Sequence, residues 1–139
     1  MNVLYTNKIS IEDYIMLHEA VGWGSCNPDR VRTALNRTDF LVVAQIDGNP
    51  IGMSRVIQDG LQALVMDVIV IPEYQGQGIG KTMMGRVMEY LNELSRGSGI
   101  IVNLMSAIGR AGFYEQFGFI QRPYENRGPG MTLWLENKQ

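Results

Sequence analysis

The chain of 139 residues lacks the features that mark several classes of protein. It has one cysteine, Cys26, so it cannot form an internal disulfide, and a reducing compartment is the natural inference. No apolar run is long enough to span a membrane, and no signal-peptide core follows Met1. We therefore expect a cytoplasmic protein without membrane association.

An excess of basic charge is also missing. Twelve Lys and Arg residues face 14 Asp and Glu residues, which gives a formal charge of -2 and argues against nucleic acid as the main partner. No cluster of Cys, His and carboxylate residues has the spacing of metal ligands, so no metal site is predicted. With no internal repeat or low-complexity tract, the length predicts a single domain over residues 1–139.

The most informative segment that is present is a glycine-rich loop between an apolar strand and an amphipathic helix. It lies within Asp67 to Leu94 and contains Gly76, Gly78 and Gly80. The first amides of a helix have no partner within the helix, and the helix dipole adds partial positive charge there. Glycine removes the side chains that would keep a phosphate from those amides. The segment therefore predicts a pyrophosphate-binding loop.

Three known sequence patterns of phosphate-binding loops are compared with this glycine-rich segment. The dinucleotide fingerprint needs G-x-G-x-x-G, whereas the glycines here follow G-x-G-x-G. The nucleotide triphosphate loop ends in G-K-[ST], as Gly80 to Thr82 does, but its first glycine would fall at Gln75. The third pattern is V-x-P-x-x-[QR]-x-x-G-x-[GA], and it is matched by Val70, Pro72, Gln75, Gly78 and Gly80.

That third pattern resembles the coenzyme A signature of the GNAT superfamily of N-acetyltransferases. The segment from Gly112 to Phe119 looks like the late family motif Y-E-x-x-G-F. There Phe113 and Phe117 share a helical face, Gly118 suits a left-handed helix end, and Phe119 is expected to open a strand. The resemblance implies acetyl-CoA as cofactor and direct transfer of its acetyl group to a primary amine of a small molecule or peptide. Small proteins of this resemblance frequently pair through their C-terminal strands, so a homodimer is one expectation and the oligomeric state stays open.

Motif position assigns the expected cofactor contacts. The resemblance implies that the backbone of the strand before the loop holds the pantetheine arm and that the loop holds the pyrophosphate. The family often has Asn where this chain has Ala107, so Asn103 or Arg110 would substitute for that contact. The predicted cofactor-binding residues are Val68, Ile69, Val70, Gln75, Gly76, Gln77, Gly78, Ile79, Gly80, Lys81, Asn103 and Tyr114.

Two proton transfers define the expected catalytic residues. Asp67 is the candidate base, because it interrupts an apolar strand and burial would raise its pKa. A structural aspartate, bonded to backbone or to Arg55 across the sheet, is the open alternative, and a short water relay is then the alternative base. Tyr114 takes the role that the resemblance assigns to the motif tyrosine, a hydrogen bond to the departing thiolate. A tyrosine pKa near 10 exceeds a thiol pKa near 8.5, so full proton transfer would come late.

A second class of function also fits the loop, a catalytically silent acyl-CoA-binding sensor or assembly module. It would keep the phosphate loop but would not need Tyr114 or a base. A nucleophile and base pair of Cys26 and His18 has no further catalytic context in the sequence. For an enzyme, the acceptor pocket is expected at the variable ends of the chain, near His18, Glu19, Trp23 and residues 124–131.

Periodicity and turn residues predict the elements that carry these motifs. The predicted fold class is α/β (α+β), a GNAT-like mixed and mostly antiparallel central sheet of six to seven strands with helices on both faces. Helices are predicted over residues 10–21, from 27 onward, over 78–94 and over 110–117. Strands are predicted over residues 2–5, 40–46, 51–57, 63–71, 100–105, 119–121 and 131–135.

Overall fold

The computed structural model describes residues 2–137, so Met1 and residues 138–139 of the predicted domain lie outside the described part. The strands are β1 (Leu4–Thr6), β2 (Phe40–Ile46), β3 (Asn49–Gln58), β4 (Gln62–Val70) and β5 (Ile101–Leu104). The helices are α1 (Ile11–Ala20), α2 (Pro28–Asn36), α3 (Ile79–Leu94) and α4 (Ala111–Glu115), with a 3-10 turn at Pro72–Tyr74. The chain divides into two compact units, the first ending at Leu104 and the second beginning at Met105.

The first two helices begin at side chains that satisfy free backbone amides. Ser10 accepts a hydrogen bond from the amide of Asp13 at 3.0 Å, at the start of α1. Asn27 accepts from the amides of Asp29 and Arg30 at 2.9 and 3.2 Å, at the start of α2. Because such caps supply partners that the helix itself cannot provide, they fix where each helix begins. Both predicted helix starts are confirmed.

The strands of the first unit form one five-stranded sheet in the order β1-β2-β3-β4-β5. Neighbours from β1 to β4 are antiparallel, and β5 runs parallel to β4. The hairpin between β2 and β3 turns at Asp47 and Gly48, whose φ angles of 51° and 78° are those of a tight hairpin turn. A mixed, mostly antiparallel sheet is thus confirmed, but it has five strands and not the expected six to seven.

The prediction of two strands after α4 is wrong. Residues 119–121 and 131–135 lie outside any strand of the described chain, and the second unit has an isolated bridge between Tyr124 and Arg127. Strand propensity expresses how well a side chain fits a half-buried pleated surface. Here the apolar side chains of the last segment are not buried. Their exposed fractions are 90% for Met131, 81% for Leu133, 80% for Trp134 and 77% for Leu135.

Helices cover both faces of the sheet in the first unit. The core on one face contains Tyr14 and Leu17 of α1 and Val31 of α2, packed with Val43, Met53 and Ile69 of the strands. On the other face, the rings of Phe40 and Tyr90 of α3 stack with centroids 4.7 Å apart. Because successive strand residues point to opposite faces, β2 and β3 supply both cores. The prediction of helices on both faces is confirmed.

Candidate active site

The strand β4 contains an extra residue at Asp67. Met53 of β3 pairs with Ile69 and Arg55 pairs with Met66, so two steps along β3 match three along β4. Asp67 has a φ of 54°, in the left-handed region that few residues other than glycine adopt and that aspartate tolerates. Such a bulge bends the strand and changes the direction of a side chain. The bulge therefore sets the position of the Asp67 carboxylate.

Beyond this bulge, β4 and β5 no longer pair. Residues 62–65 of β4 pair with residues 101–104 of β5, and within the described chain the remainder of β4 pairs with β3 alone. Val68, Ile69 and Val70 thus lie where β4 has a neighbouring strand on one side alone, whereas Asn103 pairs with Leu64 before that unpaired edge begins. An unpaired edge presents backbone groups that an extended ligand can bond. This is the geometry that the predicted pantetheine contacts require.

The glycine loop leads from this edge into α3. Gly76 and Gly78 have φ angles of 77° and 83°, which glycine adopts at little cost. Gly78 precedes α3, which has no side-chain cap and no acidic residue in its first turn. A Cβ built on either glycine would have no atom within 4 Å, so the space beside both is open. An uncapped helix start with open space is a suitable site for an anionic group.

Two glutamine side chains brace the loop. Gln75 donates through Nε2 to the carbonyl of Val70 at 2.8 Å, and Gln77 donates to the carbonyl of Glu73 at 3.3 Å. Both bonds use amide donors and carbonyl acceptors, so these contacts do not cap the amides of α3. Lys81 is exposed in the first turn of α3. The loop residues predicted from the motif therefore lie together at one helix start.

The Asp67 carboxylate is the centre of a second, partly buried cluster. Its Oδ2 accepts from the Tyr14 hydroxyl at 2.5 Å and from Nε of Arg55 at 2.6 Å, and its Oδ1 lies 3.1 Å from Nε2 of His18. Burial by itself raises the pKa of Asp67, but the hydrogen bonds from His18, Tyr14 and Arg55 outweigh it and lower the pKa to about 2. Asp67 is therefore ionised at neutral pH.

The expectation that burial would raise the pKa of Asp67 is wrong. The alternative contact with Arg55 across the sheet is present, and two donors from α1 add to it. Those donors were missed because they lie 53 and 49 residues away in sequence. The sequence contains one signal for them, because Tyr14 and His18 are four residues apart and therefore share a helix face. A carboxylate with three donors and a lowered pKa is a weak proton acceptor.

Tyr14 keeps its proton in this cluster. Burial raises the pKa of its hydroxyl, and the hydrogen bond and charge of Asp67 raise it further. Its ring stacks on the imidazole of His18 with centroids 4.6 Å apart, and the ring of Trp23 meets that imidazole edge-on at 5.5 Å. Two residues expected near the acceptor pocket, His18 and Trp23, are therefore in contact with each other and with the Asp67 cluster.

The second predicted catalytic residue, Tyr114, lies in α4 of the second unit. It is 8% exposed, and its ring lies edge-on to Phe113 and Phe119 at centroid distances of 5.1 and 6.2 Å. Burial raises the pKa of its hydroxyl, although the charge of Arg110 opposes the shift. The hydroxyl is thus protonated near neutral pH, the state that a proton donor needs. Gly118 has a φ of 98°, the left-handed conformation that the motif predicted.

Comparison with known proteins decides the family. A family model described as the acetyltransferase (GNAT) domain matches residues 37–121. The chain belongs to the GNAT acetyltransferase family. This GNAT family member is an acyltransferase, and its family generally uses acetyl-CoA and acts on amines. No helix among the described residues is long and apolar enough to cross a membrane.

Individual proteins are similar over most of the chain. GCN5-related N-acetyltransferase 1, chloroplastic, of Arabidopsis thaliana is 30% identical over 138 residues, covering 96% of this chain and 68% of that protein. Serotonin N-acetyltransferase 2, chloroplastic, of Oryza sativa subsp. japonica is 32% identical over 125 residues, covering 86% and 60%. The crystal structure of SA2161 from Staphylococcus aureus, described as a probable acetyltransferase, has a TM-score of 0.87 at 29% identity, covering 96% of this chain and all of that one.

Proposed function

We propose that this GNAT family member transfers the acetyl group of acetyl-CoA directly to the primary amine of a small molecule or peptide. One observation carries the proposal. The unpaired edge of β4 leads, through the loop of residues 71–78 with Gly76 and Gly78, to the uncapped start of α3. A coenzyme A molecule presents the same sequence of groups, a diphosphate followed by an extended arm with backbone-like amides.

In this proposal, residues 75–81 hold the diphosphate and the backbone of residues 68–70 holds the arm. At about 3.3 Å per residue, the edge from Val70 back to Asp67 is about 10 Å long. The arm that follows this edge therefore leads away from the loop and toward the cluster around Asp67. Asn103 remains a predicted contact, although it lies in the paired half of the sheet.

We further propose that the two units act as one domain and that Tyr114 supplies the proton of the departing thiol. The family match supports this, because it extends from the first unit to residue 121 in the second. The raised pKa of the Tyr114 hydroxyl keeps it protonated, so it can donate a hydrogen bond to a developing thiolate. A homodimer and a cytoplasmic location stay predictions.

The acceptor that we propose to test first is an arylalkylamine. The rice relative is named for serotonin, and it covers 86% of this chain. Trp23 is 47% exposed and contacts His18, which offers an aromatic surface beside the Asp67 cluster. Aromatic rings stack on one another and attract cations, so this surface suits an aromatic amine.

A thiol-release assay tests the proposal. The purified chain is mixed with acetyl-CoA and with serotonin, spermidine, an aminoglycoside, an amino acid or an alanyl peptide, and free thiol is measured. We expect amine-dependent release with at least one acceptor and a thermal shift with acetyl-CoA that ATP and NAD do not produce. Saturation at one hundred times the Kd would stabilise the fold by about 2.7 kcal/mol. Binding without release across the panel would instead support the silent acyl-CoA-binding module.

A further inference from the structure

Building on the proposed function, we propose that His18, held by Asp67, takes a proton from the acceptor amine. His18 lies in the last turn of α1, and its Nε2 is 3.1 Å from Oδ1 of Asp67. Asp67 directly precedes Val68, the first residue of the unpaired β4 edge. The imidazole is thus anchored at the end of the edge that leads away from the phosphate loop.

The chemistry of Asp67 fixes which imidazole nitrogen carries the proton. Asp67 is ionised, and a carboxylate can only accept hydrogen bonds. Nε2 of His18 must therefore donate to it, together with the Tyr14 hydroxyl and the Arg55 guanidinium. In a neutral imidazole with a proton on Nε2, the other nitrogen, Nδ1, has a lone pair that can accept a proton. The contact with Asp67 thus prepares Nδ1 as a base.

The neighbouring groups do not compete for this role. Asp67 already accepts three hydrogen bonds, Arg55 is a cation, and the Tyr14 hydroxyl keeps its proton. Burial raises the pKa of the Cys26 thiol, and the charges of Asp67 and Glu19 raise it further, so this thiol stays protonated as well. Of these groups, the neutral imidazole is the one that offers a basic nitrogen lone pair. Its side chain is 13% exposed, which shields the site from water without closing it.

The proposed step conserves protons and bonds. An alkylammonium loses two protons in becoming an amide. One passes to Nδ1 of His18 and then to solvent, and the other restores, through solvent, the proton that Tyr114 gives to the departing sulfur. The amine nitrogen forms its bond to the acyl carbon as the carbon–sulfur bond breaks. Asp67 stabilises the imidazolium that forms but does not itself take the proton.

The variant His18→Gln tests this role, because a glutamine amide still donates to Asp67 but has no basic nitrogen. With whichever amine of the panel releases thiol fastest, we expect kcat/KM to fall ten- to a thousandfold at neutral pH. The acidic limb of the pH–rate profile should disappear, while the thermal shift with acetyl-CoA is retained. Glu12→Gln, an exposed change in the first turn of the same helix, is the matched control and should alter kcat/KM less than twofold.

A spectroscopic measurement tests the proposed protonation of His18 without an acceptor amine. His18 is the single histidine of the chain, so the imidazole nitrogen resonances of the untagged protein are unambiguous. We expect the neutral ring to carry its proton on Nε2, and we expect Asp67→Asn to weaken that preference. A proton on Nδ1 in the neutral ring, or wild-type kcat/KM and pH profile in His18→Gln, would overturn the inference. Either result contradicts the role of His18 but is compatible with amine-dependent thiol release by the wild type. The absence of such release in the wild type would instead contradict the proposed function.

Discussion

At the scale of single residues, Asp67 shows how contacts between distant segments reverse what a local environment predicts. An apolar strand context alone favours a neutral carboxyl, because burial penalises charge. Three donors from α1 and β3 converge on this carboxylate and hold its pKa at about 2. The sequence suggests Arg55 as a partner across the sheet, but the two donors from α1 reach Asp67 only because that helix packs against the sheet.

The lowered pKa of Asp67 predicts a specific dependence of stability on pH. Its folded pKa of about 2 lies below the ordinary value of 3.8. The stabilisation from Asp67 is therefore fully present above pH 3.8 and is lost as the pH falls toward 2. We expect Asp67→Asn to lower the free energy of unfolding by about 2 kcal/mol at pH 7, and the difference from wild type should shrink between pH 4 and pH 2.

Urea unfolding of both proteins at pH 7, 4 and 3 measures this difference. Asp29→Asn is the matched control, because the Asp29 side chain is 86% exposed where it pairs with Arg32. An exposed ion pair contributes little, so that variant should change stability by no more than about 0.5 kcal/mol. A penalty for Asp67→Asn that stays constant from pH 7 down to pH 3 would be inconsistent with the ionised cluster.

Tyr114 supports a second prediction at this scale. Tyr114→Phe removes the hydroxyl and keeps the ring that packs with Phe113 and Phe119. We expect turnover to fall ten- to a thousandfold with little change in the Kd of acetyl-CoA, because in our proposal the hydroxyl acts on the departing sulfur. Steady-state rates and calorimetry separate the two quantities. Tyr90→Phe is the control, because it removes a hydroxyl from a ring that stacks on Phe40 and has no proposed catalytic role. Equal turnover in the two variants would show that the Tyr114 hydroxyl takes no part in the mechanism.

At the scale of elements, Gly52 marks a close approach of β3, β4 and α3. A Cβ at this position would lie 2.6 Å from the carbonyl oxygen of Ile69 and 3.2 Å from Cε of Met83. The methionine end can move, but the carbonyl belongs to the backbone of the strand that we assign to the pantetheine arm. Any larger residue at this position must therefore displace β4.

We expect Gly52→Ala to destabilise the fold by about 1–3 kcal/mol, as overpacking of a close contact does. Gly85→Ala in the interior of α3 is the matched control, because no atom lies within 4 Å of its added Cβ. Alanine favours a helix over glycine, so that variant should be more stable by up to about 1 kcal/mol. Chemical denaturation of the two variants gives the comparison, and a neutral Gly52→Ala would show that β4 can shift freely.

Elements with local determinants were predictable from the sequence. The caps at Ser10 and Asn27 and the turn at Asp47 and Gly48 each rely on residues close in sequence, and the structure has a helix start or a hairpin at each. The bulge at Asp67 was not predictable, because it depends on the register between β3 and β4. Residues 131–135 have the composition of a strand, yet their exposed side chains lack the burial that would stabilise one.

At the scale of the whole molecule, the residues that we propose for cofactor binding and catalysis come from segments far apart in the chain. The phosphate loop, the β4 edge and the Asp67 cluster belong to the first unit, and Tyr114 belongs to the second. The loop and Tyr114 can be proposed from sequence because each lies in a short motif. Tyr14 and His18 belong to no such motif, and their place beside Asp67 depends on how α1 packs on the sheet.

The most direct measurement of the central claim is the affinity for acetyl-CoA of a matched pair of glycine variants. Gly78→Ala and Gly97→Ala both place a methyl group on a residue with left-handed backbone, at φ angles of 83° and 91°, with no atom within 4 Å. Both should lose about 1–2 kcal/mol of stability from the backbone strain. Gly78 precedes α3 at the proposed diphosphate site, whereas Gly97 follows the other end of that helix.

Calorimetric titration of both variants with acetyl-CoA then separates an effect on cofactor binding from the backbone strain that both variants share. If the start of α3 holds the diphosphate, Gly78→Ala should raise the Kd at least tenfold, a loss of about 1.4 kcal/mol, while Gly97→Ala keeps the wild-type Kd. Equal Kd values in the two variants would contradict the account, because the diphosphate would then be bound elsewhere.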